Sequence, residues 1–145
     1  MQNQSRIFKL LLLVCTFSLA FSTQSSAQLP VPSEPEKTFQ NWTMIGESRT
    51  LIDVYYRVLQ CGNKTQVHFF VFNENTMDQT AKFSIDLMDG NGAKVMTKTY
   101  NIAAKKLTMY KALCGGTDEV LNSLKVDLPE GVDPAKVTAK ITFQP

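Results

Sequence analysis

From residue 51 onward, apolar side chains recur at every second position rather than every third or fourth, the period of extended strands. Residues 51–60 set Ile52, Val54, Tyr56 and Val58 on one face and Asp53, Tyr55, Arg57 and Leu59 on the other, a half-buried strand. Cys61-Gly62-Asn63-Lys64 supplies turn chemistry, since Gly and Asn tolerate positive φ. The following run, 66–72, is apolar on both faces: Val67, Phe69 and Val71 oppose Phe70 and Phe72. Such a strand belongs in the middle of a sheet with both sides covered, so Phe70 is expected in the core, and the two strands are expected to form a hairpin.

Beyond a polar break at Asn73-Glu74-Asn75, Phe83, Ile85 and Leu87 alternate with polar partners. Asp89-Gly90-Asn91-Gly92 holds two strong hairpin signals in four residues, and a strand returns over 93–102. Residues 107–113 alternate again, with Leu107, Met109 and Leu113 on the apolar face. Residues 117–124 fit one helical turn that Asp118 can cap. Val126 and Leu128 suggest a short strand closed by Pro129, and residues 136–143 form the cleanest half-exposed strand. Seven or eight short strands with turns at near-regular spacing predict an all-β fold, an antiparallel two-sheet sandwich of immunoglobulin-like or fibronectin-like architecture. A small β-barrel is the alternative. The single tryptophan, Trp42, precedes Cys61 rather than lying between the two cysteines as in antibody domains, so a disulfide here is expected to tie neighbouring loops at one end.

The N-terminus follows different rules. Arg6 and Lys9 precede an apolar run from Leu10 to Ala20, and Ser25 and Ala27 are small residues before Gln28. That order is a secretory signal peptide over residues 1–27, too short to span a bilayer comfortably. Val14 before Cys15 is large for a lipid-attachment site, so Cys15 reads as part of the signal. Residues 28–37, QLPVPSEPEK, are a Pro-rich extended lead, and residues 38–145 are the domain.

Removing the signal changes the charge. The full chain carries 15 basic and 13 acidic side chains, and the signal holds two of the basic ones, Arg6 and Lys9. The domain is then neutral, without the clustered cations that nucleic-acid binding requires. Cys61 and Cys114 remain, an even pair in an exported chain, which predicts a disulfide. The competing reading, a Cys-Cys metal site, lacks a His or acidic ligand at ligand spacing.

Candidate chemistry is thin. His68 is the only histidine, but it sits inside the most apolar strand with no obvious partner and reads as structural. Asp86, Asp89 and Asn91, and separately Asn73, Glu74, Asn75 and Asp78, offer oxygens to calcium, yet turn chemistry explains both sets. Asn41-Trp42-Thr43 and Asn63-Lys64-Thr65 match a glycosylation acceptor that matters only in a eukaryotic secretory pathway, and the signal reads as bacterial. Trp42, Tyr55 and Tyr100 are the candidate ligand-contact aromatics, with Tyr55 expected to be the most exposed. No cofactor motif stands out, and the carboxylates, such as Asp53 and Glu74, look scattered. The sequence therefore predicts an exported, periplasmic or extracellular, non-catalytic interaction or accessory module. Its partner is expected to be another envelope or extracellular protein, or a polysaccharide. A carbohydrate-binding module and a small secreted enzyme are the alternatives, and no stable membrane span is expected once the signal is removed.

Overall fold

A computed structural model describes residues 37–145. The expected signal peptide and all of the Pro-rich lead except Lys37 lie outside the described residues.

Period-two patterning becomes eight strands and one helical turn: β1 Lys37–Glu47, β2 Ile52–Cys61, β3 Lys64–Asn73, β4 Gln79–Met88, β5 Lys94–Ala104, β6 Thr108–Lys111, α1 Glu119–Ser123, β7 Lys125–Asp127 and β8 Thr138–Phe143. They build two antiparallel sheets. The first runs β1-β2-β3-β6, with β7 also paired to β3, and the second runs β5-β4-β8. The sheets do not close into a barrel. The fold is the expected two-sheet sandwich.

The hairpins follow from their turn residues. Gly62 takes φ 60° at the first of two turn positions between β2 and β3, where a type II′ connection wants glycine. Between β4 and β5, Asp89 Oδ1 accepts from the Asn91 and Ala93 amides at 2.8 and 2.9 Å. Inward-facing residues of both sheets form the core: Val54, Tyr56 and Val58 from β2, Val67, Phe69 and Val71 from β3, and Phe83, Ile85 and Leu87 from β4. Each large side chain buried there contributes about 1.5–3 kcal/mol. Tyr56 Oη donates towards Gln40 Oε1 at 3.1 Å, and Gln40 Nε2 donates to the carbonyls of Pro134 and Val137 at 2.8 and 2.9 Å. These bonds tie β1 to the segment that enters β8.

Several expectations need correction. Strand β1 has no counterpart in the sequence reading, because register shifts at three places along its pairing with β2 break the alternation. Over 107–113 the inward parity belongs to Tyr110 in β6 and to Ala112 just beyond it. Leu107 and Met109 face solvent at 61% and 65% exposure. Apolar residues occupy both parities of that stretch, and Tyr110 Oη can donate to the Ala103 carbonyl at 3.2 Å from the inner side. Phe70 is half-buried on the outer face of β3, and Phe69 is its fully buried neighbour. Asp118 does cap α1, accepting from the Leu121 amide at 2.9 Å.

Candidate functional site

The outward-facing residues of the first sheet form a grid fixed by strand register. One row reads Glu47, Asp53, Phe72 and Met109 across β1, β2, β3 and β6. The next reads Met44, Tyr55, Phe70 and Lys111. A third places Arg57, His68 and Lys125 side by side. Tyr55 stacks on Phe70 with ring centroids 5.2 Å apart, and Trp42 meets Phe70 edge-on at 5.8 Å. Arg57 and Lys111 stand over the Trp42 ring at 4.7 and 5.6 Å, a favourable placement of cations on an aromatic face. Met44 and Met109 leave 44% and 65% of their surface open. The fold thus brings Trp42 and Tyr55 together. Tyr100 is elsewhere: it lies in the core between Phe69 and Phe83, 4% exposed, and burial drives its hydroxyl pKa upward.

At one end of this face the carboxylates meet. Asp53 is 5% exposed and accepts from Tyr55 Oη at 3.4 Å. Its charge, followed by a small loss of solvation, raises the pKa of Glu74. Loss of solvation and then the charge of Asp53 raise that of Tyr55. Glu74 is open to solvent. Neither Asp53 nor Glu74 lines the depressions at Asn63–Thr65 with Asp127–Val132, or at Asp78–Thr80 with Ala103–Lys105.

At the other end lies the disulfide Cys61–Cys114, whose Cα atoms are 5.6 Å apart. Cys61 ends β2 and Cys114 follows β6, so the bridge joins flanks of one sheet on either side of β3. His68 packs beneath it, fully buried, with Nε2 3.7 Å from Cys61 Sγ and 3.0 Å from Gln66 Oε1. Gln66 Nε2 donates to Asp127 Oδ1 at 2.8 Å, which aims the amide oxygen at the imidazole and assigns the proton to Nε2. Burial lowers the His68 pKa to about 4, helped by the charges of Arg57 and Lys125 and opposed by the Ala112 backbone. The sequence lacks a His at ligand spacing from either cysteine. The fold supplies one, because register rather than spacing sets the contact.

Both candidate calcium clusters are used internally. Asp86 pairs with Lys94 at 2.9 Å and Thr97 at 2.5 Å. Asn73 Nδ2 donates to the Met77, Ala104 and Lys105 carbonyls. Asp78 accepts from the Lys106 amide. The residues missed by sequence reasoning are Phe70, Arg57, Lys111, Met44 and Met109. Their one visible signal was the surplus of apolar residues on the second face of 66–72.

Fold and site together define a disulfide-bridged antiparallel β-sandwich domain with an aromatic outer face. No family model, curated protein or solved structure matches the chain.

Proposed function

We propose that the chain is an exported, non-catalytic interaction module and that the outer face of the first sheet is where an envelope or extracellular protein docks. One observation carries this reading: Trp42, Met44, Tyr55, Phe70, Phe72 and Met109 share one face, with Arg57 and Lys111 among them. Contiguous exposed apolar surface marks contact sites. Trp, Tyr, Met and Arg are the residue types that interface centres favour. The apolar face with Lys111 at its edge suits a partner with an apolar centre and an acidic group opposite Lys111. Export is supported by the disulfide and by the signal-like N-terminus. Among the described residues, no helix is long and apolar enough to cross a membrane. Sugar stacking is less well supported, because it needs a bare ring face and Arg57 and Lys111 crowd that of Trp42.

The test places a photo-crosslinking residue at Met109, and in a second chain at Thr99 on the second sheet, in the native envelope. A single protein adduct from position 109, absent from 99 and lost on Tyr55→Ala, is the expected result. Tyr55→Ala should weaken the purified pair at least tenfold, about 1.4 kcal/mol. Adducts that ignore position overturn the reading. Retention on polysaccharide that Tyr55→Ala abolishes replaces it with the carbohydrate-binding one.

A further inference from the structure

The bridge and the histidine beneath it carry an inference independent of the docking face. Cys61 Sγ, Cys114 Sγ and a ring nitrogen of His68 all lie within 4.8 Å of one another. We propose that reducing the Cys61–Cys114 bridge converts this cluster into a three-coordinate site for Cu(I), held by two thiolates and the His68 imidazole.

Geometry is the first argument. Thiolate and imidazole bonds to zinc, like Cu(I) a closed-shell d10 ion, are about 2.3 and 2.0 Å long. Donors on such bonds at trigonal angles stand about 3.7 Å apart for S and N and about 4 Å apart for the two S atoms. Cys61 Sγ and His68 Nε2 already stand at 3.7 Å, and Cys114 Sγ lies within 4.8 Å of both; the two sulfurs must separate, and side-chain rotation can supply that.

The donor set and its surroundings are the second argument. Thiolates are soft ligands that suit Cu(I) or zinc, imidazole is a borderline ligand that copper also takes, and a set of three donors matches the low coordination of Cu(I) rather than the four that structural zinc takes. His68 presents its imidazole to the sulfurs from a fully buried position. In the disulfide form its proton sits on Nε2 towards Gln66, and Nδ1 has no hydrogen-bond partner. Moving that proton to Nδ1 frees the Nε2 lone pair for the metal. Arg57 and Lys125, the register partners of His68 on β2 and β7, bring positive charge to the strands on either side of the histidine, and nearby cations favour thiolates. Cys114 and His68 are buried, and Cys61 is the partly exposed member of the cluster.

A dithiol reductant passes two electrons and two protons to the disulfide and is itself oxidised to a disulfide. The S–S bond breaks and two thiols form. Cu(I) then displaces both thiol protons to solvent as two S–Cu bonds and one N–Cu bond form, with no change in the metal's oxidation state.

The test uses the full chain carrying Cys15→Ser, so that Cys61 and Cys114 are its only cysteines, reduced anaerobically with a phosphine and freed of it. The chain is titrated with Cu(I) in competition with bicinchoninate, and circular dichroism is recorded throughout. One Cu(I) per chain is expected, with two sulfur and one nitrogen neighbours in copper X-ray absorption. His68→Leu should weaken uptake at least tenfold, Cys114→Ser should abolish it, and the oxidised chain should take up none. The proposal fails if His68→Leu matches the parent, if the copper environment is sulfur alone, or if the reduced chain unfolds and Cu(I) does not restore its spectrum.

Discussion

Acidification should weaken the fold through His68 as pH falls from its ordinary value towards its folded one. The imidazole is fully buried beneath the disulfide, between Arg57 on β2 and Lys125 on β7, with Gln66 linking it to Asp127. Its pKa falls from 6.5 to about 4 in the folded chain. The unfolded chain therefore binds the extra proton first as pH drops, and stability is lost on acidification from 6.5 towards 4. At 1.36 kcal/mol per pH unit, the full loss is on the order of 3 kcal/mol. Asp86 and Asp127 are held below their usual values, Asp86 by hydrogen bonds from Thr97 and Lys94 and Asp127 by hydrogen bonds from Lys64 and Gln66. Their contributions disappear only at lower pH. Glu74, raised by the charge of Asp53, works in the opposite sense. The assay is urea unfolding of the oxidised chain at several pH values between neutral and 4.5, beside His68→Asn. The parent should lose stability across the window and the variant should stay nearly flat, whatever its absolute stability. Equal pH slopes in the two chains would refute the reasoning.

Three further outcomes follow from packing and the bridge. Cys114→Ser opens a covalent loop spanning 53 residues and should cost about 4 kcal/mol in the chain-entropy account; oxidised and reduced parent chains that melt alike would count against a structural bridge. Phe69→Ala, in the core against Tyr100, should cost about 3–5 kcal/mol. Phe70→Ala on the half-open face should cost clearly less, and chemical denaturation that reverses the two would mean the faces of β3 are misassigned. Gly46→Ala would set a Cβ 2.7 Å from Ile141 Cγ2 where β1 meets β8, so calorimetry should show a loss of about 1–3 kcal/mol, and an unchanged melting temperature would mean the two edges are not in contact.

Most of the fold was legible because strand parity needs only local sequence. Residues 51–60, 83–87 and 136–143 each declared one buried face, and β2, β4 and β8 keep those faces. Parity misled where apolar residues filled both faces. In 66–72 and 107–113 the pattern does not say which side meets the other sheet, so Phe70 and Met109 were placed inside when they face out. Bulges hid β1 altogether, and with it the route that brings Trp42 over Phe70. The aromatic face and the Cys61–His68–Cys114 cluster depend on pairing between strands distant in sequence, which local alternation does not encode.

The position of the disulfide also decides how the chain would bear tension. A pull applied between β1 and β8 passes through Cys61–Cys114, and β3, β4, β5 and β6 lie inside the bypassed loop. With the bond closed, those four strands can lose their pairing but add no length between the points of attachment. Opening it would release the 53-residue span, roughly 180 Å of contour at full extension. The redox state of one bond thus sets how far the domain can be drawn out before its whole chain carries load.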